Sequence, residues 1–315
     1  MRRSLLLTIV LGLLATAGCG SASTSTDGPR PAGNASVPTA SSARATSART
    51  VTKLLVFVVE NHSRDQMRSG MPFTNALAKR YGYADHYDAV THPSLPNYLA
   101  IAGGSTFGVR DDDSPAAHPL TGASVFGEAV RHGSTARLYA DAMQQRCQTV
   151  PAGRYAVKHN PWAYFTGESA LCRRGDVLIR RFGRDVRRGH LPAVGMVIPD
   201  LCDDAHDCTL DHADGWLRTY VGRAMKGRDW KSGHLAIVIT ADEDDRAHGN
   251  RILTVVAHPR VHHAVISRPL THYALSRAYA DVAGVAPLRH AKRAPDLLRA
   301  FGLKPLSRQA ARAGA

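Results

Sequence analysis

"KLLVFVVEN", residues 53–61, is the stretch of sequence that decides the fold. Lys53 is followed by six apolar residues with no polar interruption, and several of them are β-branched. A strand with one solvated face would alternate, so this run indicates a strand that is buried on both faces, as in a parallel sheet. Glu60 and Asn61 come directly after the run. The sequence therefore predicts a central strand with two polar side chains at its carboxyl end.

Three further apolar runs have the same character: "PAVGMVIPD" at 192–200, "HLAIVITADEDD" at 234–245 and "RILTVVAHP" at 251–259. Helical patterns lie between or beside these runs, at residues 73–81, 124–132, 176–188, 211–225 and 275–283. Strands that alternate with helices predict an α/β fold, with a mostly parallel central sheet and helices on both faces.

The predicted strands end in acidic or amide residues: Glu60, Asn61, Asp200, Asp242 and Glu243. In parallel sheets, ligands bind beyond the carboxyl ends of the strands. Several carboxylates in one cleft repel each other unless a cation neutralises them. This pattern favours a divalent metal site, with solvated loop acids as the alternative.

A second stretch, "THPSLPNYLAIAGGS" at 91–105, predicts a short helix that Gly103 and Gly104 end. Pro96 suits the first turn of a helix, where its missing N–H is not needed. Ser94 then lies at the helix N-terminus, where negative charge is favoured. The position suits a nucleophile that attacks a phosphate. It also suits an ordinary N-cap serine, which the local sequence alone favours.

Residues 1–19 predict an export signal, because two arginines precede an apolar segment that is too short to span a bilayer comfortably. The segment ends in "ATAGC", which resembles a bacterial lipobox with Cys19 as the lipid-modified residue. Ordinary cleavage and secretion is the alternative. Residues 20–52 are rich in Ser, Thr, Ala and Pro and predict a disordered tether. We expect residues 53–315 to form one domain.

Four cysteines remain when Cys19 is assigned to the lipid. An even number in an exported protein suggests two disulfides. Nearest-neighbour pairing gives Cys147–Cys172 and Cys202–Cys208, which is one of three connectivities. A zinc cluster is the alternative, although none of the spacings is Cys-x-x-Cys.

The formal net charge is +14. Such a charge indicates anionic substrates or an anionic membrane surface, unless it reflects an arginine-rich composition alone. Basic clusters such as "RRFGRDVRR" at 180–188 lack interleaved aromatic residues, so we expect no nucleic-acid partner.

Six segments together resemble the bacterial phosphoesterase family, which lies within the alkaline phosphatase superfamily and holds acid phosphatases and phospholipases C. The segments are "VVENHS", "THPSLPNYLAIAGGS", "KHNPWAYF", "IPDLCDDAHDC", "ADGWL" and "TADEDD". They occur in the family order, and the resemblance runs from Leu54 to about Leu303. It implies an alkaline phosphatase-like fold and the hydrolysis of phosphate esters.

The resemblance also implies roles for single residues. Ser94 would be the nucleophile, and Asn97 would contact a phosphoryl oxygen. A divalent metal would be held by Glu60, Asn61, Ser94, Asp242 and Glu243. His206 and His272 would bind phosphate directly or, with Asp204, form a second metal site. His92 is a supporting candidate, and Lys158 and His159 are weaker candidates for phosphate contact.

Oxygen ligands suit Mg²⁺, Ca²⁺ or Mn²⁺, and added histidines would favour Zn²⁺. We therefore expect an exported, metal-dependent phosphomonoesterase that forms a phosphoseryl intermediate. It would act on a small phosphate ester and be lipid-anchored to the outer face of the cell membrane, or secreted. One alternative is a phospholipase C-type phosphodiesterase on phospholipid head groups. Another is a non-catalytic, substrate-binding lipoprotein of the same fold.

Overall fold

The computed structural model describes residues 50–305. The predicted signal at 1–19, the lipid site at Cys19 and most of the predicted tether at 20–52 lie outside the described residues. None of the helices within 50–305 is long and apolar enough to cross a membrane.

The described chain alternates strands and helices. The strands are β1 (Thr50–Val51), β2 (Lys53–Val59), β3 (Gly82–Ala84), β4 (Tyr87–Asp88), β5 (Ala136–Ala140), β6 (Asp176–Leu178), β7 (Val194–Ile198), β8 (Leu235–Ala241), β9 (Thr254–Ala257), β10 (Ala264–Ile266), β11 (Leu270–Thr271) and β12 (Lys304–Pro305). The helices are α1 (Arg64–Gly70), α2 (Pro72–Arg80), α3 (Ser94–Gly103), α4 (Val125–Arg131), α5 (Ser169–Gly175), α6 (Phe182–Arg188), α7 (Leu210–Lys226), α8 (Arg228–Lys231), α9 (His272–Ala283) and α10 (Leu297–Ala300). Short 3₁₀ turns include Val157–His159 and Ile179–Arg181.

Eight strands form the central sheet in the order β10-β3-β9-β8-β2-β7-β5-β6. β9 runs antiparallel to both of its neighbours, and every other adjacent pair is parallel. The predicted α/β fold with a mostly parallel sheet is therefore confirmed. β2 lies between β8 and β7 with its apolar run fully buried, as the sequence predicts for a strand covered on both faces.

The register of the central strands positions the polar residues that follow them. Val59 is paired with Ala241, the last residue of β8. Glu60 and Asp242 are the next residues along these two parallel strands, so both carboxylates enter the same space beyond the sheet. The side chains at the strand ends thus meet because the strands are in parallel register, not because of any local sequence signal.

Two boundaries differ from the sequence prediction. Residues 176–188 are not one helix, because Asp176–Leu178 pair with Leu138–Ala140 of β5 and the helix begins only at Phe182. Asp176 is fully buried, and its Oδ2 accepts a hydrogen bond of 2.8 Å from Asn160 Nδ2. Thr50 and Val51, which the sequence assigns to the tether, also form a strand, because β1 pairs with β12. In both places a distant strand overrides the local pattern.

Both expected disulfides are formed. Cys147–Cys172 joins the loop after β5 to α5, and Cys202–Cys208 closes a short loop between β7 and α7. The short loop contains Asp204 and His206, so the bond restricts the segment that carries two of the predicted site residues. The zinc alternative is wrong for these four sulfur atoms.

Loop-closure entropy predicts an order of stability for the two bridges. Replacing Cys202 and Cys208 by serine should lower the free energy of unfolding by about 2–3 kcal/mol, and replacing Cys147 and Cys172 should cost about 3–4 kcal/mol because that loop is longer. Urea unfolding of the two double variants checks the order. Free thiols at any of these positions in a non-reduced digest of the wild-type protein would contradict the pairing.

Candidate active site

The carboxyl ends of β2, β7 and β8 open onto a cleft of about 340 Å³. It is lined by Asn61, Pro93, Ser94, Asp112, Lys158, His206, Glu243, Asp244, Asp245 and Arg246. This is the edge of the sheet where parallel α/β folds bind ligands. Five of the residues predicted from sequence line the cleft: Asn61, Ser94, Lys158, His206 and Glu243.

Ser94 is the first residue of α3, directly after Pro93, and its side chain is buried. Its hydroxyl donates a hydrogen bond of 3.0 Å to Glu60 Oε2, and Lys158 Nζ lies 3.5 Å from the same Oγ. Asp112 Oδ1 accepts the N–H of Leu95 in the first turn, at 2.9 Å. Ser94 therefore does not act as an N-cap, and its hydroxyl faces the cleft between a carboxylate and an ammonium group.

Glu60 is fully buried and shared by three partners. The Glu60 carboxylate accepts the hydrogen bond from the Ser94 hydroxyl described above, and it also accepts a short hydrogen bond from the Tyr98 hydroxyl. His159 Nε2 lies 3.1 Å from Glu60 Oε2, and His159 Nδ1 lies 3.1 Å from Asp204 Oδ2. The His159 ring is stacked on Tyr98 with the centroids 5.2 Å apart. A single imidazole thus separates two buried carboxylates.

The charges in this group shift its pKa values in opposite directions. Burial would raise the pKa of Glu60, but the positive charge of His159 and its hydrogen bond outweigh burial and lower that pKa to about 2. Burial would lower the pKa of His159, but the charges of Glu60 and Asp204 raise it to about 10. Burial raises the pKa of Asp204 to about 6. Without a bound cation, the group is held together by a protonated imidazole.

Asp242 and Glu243 form the second acidic group, at the end of β8. The backbone N–H of Asn61 donates to Asp242 Oδ1 at 3.2 Å. Burial, and then the charges of Glu60 and Glu243, raise the pKa of Asp242 well above its usual value. Burial and the charge of Glu60 raise the pKa of Glu243 to about 8. The negative charge of Glu60 therefore repels the negative charges of Asp242 and Glu243.

Two buried oxygen atoms in these groups have no hydrogen-bond partner within the described residues: Asn61 Oδ1 and Asp242 Oδ2. Buried polar atoms without a partner are rare, because their desolvation is costly. Glu60, His159 and Asp204 also offer ligand atoms within 4.8 Å of one another. Two unpaired acceptor oxygens beside mutually repelling carboxylates fit a divalent cation.

The structure places Asn97 and His272 behind the cleft rather than on its wall. Asn97 Oδ1 accepts the N–H groups of Val90 and Thr91, and its Nδ2 donates to the Thr91 and Pro93 carbonyls. Its amide therefore holds the loop before Ser94. Its Nδ2 also lies 3.5 Å from Oε2 of Glu243, which lines the cleft. The predicted contact with a phosphoryl oxygen therefore stays a prediction.

His272 is fully buried, and its Nε2 donates to the Asp242 carbonyl at 2.6 Å. Burial lowers the pKa of His272 to about 4, so the ring is neutral. His206 is half-buried at the cleft mouth, with its Nδ1 at 2.7 Å from Asp207 Oδ1 and its Nε2 at 3.5 Å from Lys158 Nζ. The proposed second set of Asp204, His206 and His272 is therefore not assembled, and His159 is the histidine beside Asp204.

His92 contacts the acidic end of β8, as a supporting residue should. Its Nδ1 lies 2.8 Å from Glu243 Oε2, and its Nε2 lies 3.2 Å from Asp244 Oδ1. The ring thus joins two consecutive carboxylates that line the cleft.

The structure places His159 in the buried acidic group, and sequence analysis did not identify Asp112, which lines the cleft. Lys158 and His159 are consecutive residues of the 3₁₀ turn Val157–His159, so their side chains point different ways. Lys158 faces Ser94, and His159 enters the buried acidic group. Asp112 accepts from Lys158 Nζ at 3.1 Å and from the α3 backbone. The run of three aspartates at 111–113 was the available signal for this residue.

The fold is that of the alkaline phosphatase superfamily. A superfamily protein from Vibrio parahaemolyticus is similar over 83% of this chain and 72% of its own, with a TM-score of 0.56 and 12% identity. The lipoteichoic acid synthase LtaP from Listeria monocytogenes is similar over 80% of this chain and 77% of its own, with a TM-score of 0.55 and 10% identity. At these identities the likeness shows the fold alone.

Sequence comparison is more specific. The model of the phosphoesterase family matches residues 51–251. A phosphatidylinositol-3-phosphatase of Mycobacterium tuberculosis is 31% identical over 260 residues, which cover 80% of this chain and 84% of that protein. A phosphate-repressible acid phosphatase of Penicillium chrysogenum is 28% identical over 187 residues, covering 56% of this chain and 45% of the relative.

Fold and relatives together define a hydrolase that acts on phosphoric ester bonds. The chain belongs to the phosphoesterase family, as the six sequence segments indicated. The alternative of a non-catalytic binding lipoprotein is not supported by these relatives. The chain spans somewhat less than half the length of the Penicillium acid phosphatase.

The buried imidazole gives a prediction with a defined sign. The folded pKa of His159 is about 10 and its usual value is 6.5. Its contribution to stability is therefore complete below pH 6.5 and is lost as the pH rises toward 10. In protein dialysed free of divalent cations, His159→Gln should have a free energy of unfolding that is lower than that of wild type by a few kcal/mol at pH 7. This difference in the free energy of unfolding should become smaller by pH 10.

Urea unfolding at pH 7 and pH 10 measures this difference. His258→Gln is the matched control, because His258 is also buried but burial lowers its pKa. The contribution of His258 should not change between pH 7 and 10. If the difference in the free energy of unfolding between wild type and His159→Gln stayed constant over this range, the ion-paired state of His159 would be contradicted.

Proposed function

We propose that this protein is an exported, metal-dependent phosphomonoesterase that forms a phosphoseryl intermediate on Ser94. One observation carries the proposal. The Ser94 hydroxyl lies in the first turn of a helix, between Glu60 and Lys158, beside buried ligand atoms that have no partner. A serine used only for folding would not need an acidic group and a lysine at its Oγ.

The chain's own residues supply orientation and charge. Glu60 Oε2 accepts the hydrogen bond of the Ser94 hydroxyl and so fixes the direction of its lone pairs toward the cleft. Lys158 and His206 at the mouth would bind the oxygens of the incoming phosphate. The first-turn N–H groups of α3 and the helix dipole favour the same negative charge.

The reaction then has two balanced steps. In the first, the bond from Ser94 Oγ to phosphorus forms as the bond from phosphorus to the ester oxygen breaks, and the serine proton leaves with the alcohol product. In the second, a water oxygen attacks the phosphoserine, which releases inorganic phosphate and restores the hydroxyl. Splitting the hydrolysis into two displacements is the usual role of a nucleophilic side chain.

Two sets of residues fit a cation, and they share Glu60. The first is the predicted set of Glu60, Asn61, Ser94, Asp242 and Glu243, which is linked by the Asn61–Asp242 and Ser94–Glu60 hydrogen bonds. The second is Glu60, His159 and Asp204, whose ligand atoms lie within 4.8 Å of one another. A divalent cation at such a site lowers the pKa of a nearby hydroxyl and offsets the charge of a phosphate. The oxygen-rich set favours Mg²⁺, Ca²⁺ or Mn²⁺, and the set with an imidazole favours Zn²⁺.

Ser94→Ala should reduce the turnover of a phosphate monoester by several orders of magnitude, because the covalent step is lost. The fold should persist, since the change removes one hydroxyl whose neighbours remain. Ser105→Ala, just after the same helix, is the matched control and should keep near wild-type turnover. Rates on p-nitrophenyl phosphate, with circular dichroism of both variants, test this. A folded Ser94→Ala protein with more than about a tenth of the wild-type rate would refute the assignment.

Removal of the cation should lower activity and melting temperature together, because a ligand bound to the native state alone stabilises it by mass action. Asp242→Asn should weaken metal binding and activity, and excess metal should restore part of the rate. Asp88→Asn, which breaks an ion pair with Arg251, is the control and should not change metal affinity.

Metal binding should also release protons. Glu243, with a pKa of about 8, and His159, with a pKa of about 10, must lose protons to act as ligands. Affinity should therefore rise from pH 6 to pH 9, as measured by calorimetry in buffers of different ionisation enthalpy. Full activity in dialysed protein that holds no divalent ion by elemental analysis would disprove metal dependence.

The natural substrate belongs to the phosphate monoesters in this proposal. The phosphatidylinositol-3-phosphatase relative makes phosphatidylinositol 3-phosphate a direct test compound. A panel of that lipid, p-nitrophenyl phosphate, its bis-ester and phosphatidylcholine separates a monoesterase from the phospholipase C alternative. Preference for phosphatidylcholine or for the bis-ester would favour the alternative.

Export is proposed on two grounds. The N-terminal sequence has the pattern of a signal that ends at Cys19, and two disulfides form in the folded chain. Disulfides are typical of oxidising compartments outside the cytoplasm. We therefore propose that the protein acts outside the cytoplasm, attached through a lipid on Cys19 or free after cleavage.

A further inference from the structure

A second cavity, of about 550 Å³, lies between α6, α7 and the start of α8. We call it the basic pocket. Its wall consists of Val186, Arg187, Arg218, Thr219, Gly222, Arg223, Lys226, Gly227 and Arg228. Five of these nine residues are cationic and none is acidic, so like charges converge on one concave surface.

The cations of the basic pocket have no acidic partners. None of the five forms an ion pair with a carboxylate anywhere in residues 50–305. The two aspartates nearest in sequence are already engaged: Asp185 pairs with Arg137 and Arg181, and Asp229 pairs with Lys53. All five side chains are exposed to solvent, so water and salt screen part of their mutual repulsion, and a bound anion would compensate the rest. The pocket is thus a positive site that the protein itself does not neutralise.

Helix α7 gives the pocket its shape. Arg218, Gly222 and Lys226 are spaced four residues apart and so lie on one stripe of the helix. Gly222 has no side chain, and a Cβ placed there would meet nothing within 4 Å. The open space therefore lies between two cationic side chains. Glycine in a helix interior is destabilising by about 1 kcal/mol relative to alanine, and the gap it leaves here is the floor of the cavity.

Two of the arginines are held by aromatic rings. The guanidinium of Arg218 lies 5.0 Å from the centroid of Phe73, and that of Arg223 lies 5.6 Å from the centroid of Tyr220. Contact with a ring face orients a guanidinium without using up its N–H donors. These donors remain free for an anion, and Arg presents them in a fork that matches phosphate.

The positive surface continues on the other side of α6. A cavity of about 350 Å³ there is lined by Arg146, Val177, Leu178, Arg180, Arg181 and Arg184. Arg184 and Arg187 are both in α6, and they line the smaller cavity and the basic pocket respectively. The positive electrostatic potential at the basic pocket is therefore increased by a neighbouring cluster of arginines.

The basic pocket is separate from the catalytic cleft. The amino end of α7 follows the loop that carries His206, and the pocket residues lie in the second half of the helix. A helix of 17 residues is about 25 Å long. An anion in the pocket therefore does not contact Ser94 or Lys158.

We propose that the basic pocket binds a small oligophosphate, an anion with at least two phosphate groups, at a site distinct from the catalytic cleft. Five unpaired cations around one cavity exceed what a single phosphate needs. Both a free oligophosphate and a phosphorylated lipid head group have this chemistry. The proposal does not depend on the identity of the nucleophile or the cation in the cleft.

Inorganic tripolyphosphate is the probe, because it carries several phosphates and no ester bond. Calorimetric titration uses protein dialysed free of divalent cations, so that the probe does not compete for metal. Arg218→Gln with Arg223→Gln should weaken binding at least tenfold. The matched control is Arg173→Gln with Arg174→Gln, which removes the same charge from α5 and should leave binding within about twofold. Lys158→Gln, in the catalytic cleft, removes any binding of the probe there and should leave the binding that depends on Arg218 and Arg223 unchanged.

A second pair of variants tests the cavity without removing an arginine. Gly222→Glu puts a carboxylate into the open space and should abolish binding, whereas Gly222→Ala should retain binding and stabilise the helix. Vesicles of phosphatidylcholine, with and without phosphatidylinositol phosphates, then distinguish the sources. Vesicle binding that needs the inositol lipid and is lost in Gly222→Glu assigns a lipid head group, and tripolyphosphate binding without vesicle binding assigns a free anion.

Two results would overturn the proposal. One is the absence of binding to both tripolyphosphate and vesicles. The other is equal weakening by the pocket variants and by the Arg173/Arg174 control, which would mean attraction by net charge alone. Hydrolysis of p-nitrophenyl phosphate should stay at the wild-type rate in the pocket variants. This readout separates failure of the pocket from failure of the proposed catalytic function.

Discussion

The site depends on one buried carboxylate, that of Glu60. It is placed by the register of β2 against β8, and it bonds the hydroxyls of Ser94 and Tyr98 while facing the imidazole of His159. A buried carboxylate is stable only when its charge is compensated. The Ser94 hydroxyl, the aromatic stack and the neighbouring acidic group are therefore arranged around the compensation of a single charge, by a protonated imidazole or by a cation.

Sequence patterns predicted the parts of the fold that local physics controls. The apolar run at 53–61 predicted a strand buried on both faces, and β2 is that strand. The proline-flanked Ser94 predicted a helix start, and α3 begins at this residue. Residues 176–178 show the limit, since their periodicity suits a helix while pairing with β5 makes them a strand. Tertiary pairing outweighed a weak local preference.

The candidate site was predictable in composition and less so in geometry. Residues that directly follow strands, such as Glu60 and Asp242, could be found because register carries them to one edge. The positions of residues from loops could not be predicted in this way. Asn97 and His272 bond backbone groups behind the cleft, and His159 replaces the two expected histidines beside Asp204. The direction of a loop side chain depends on distant packing that no short motif records.

Acidic and basic side chains gather at different places on the fold. Acidic side chains gather at the carboxyl ends of the central strands, where they repel an anionic substrate unless a cation or Lys158 offsets them. Unpaired arginines gather instead at the far end of α7, around Gly222. A net charge of +14 thus attracts anions over long range, while entry to the cleft depends on the local compensation of Glu60 and Asp242.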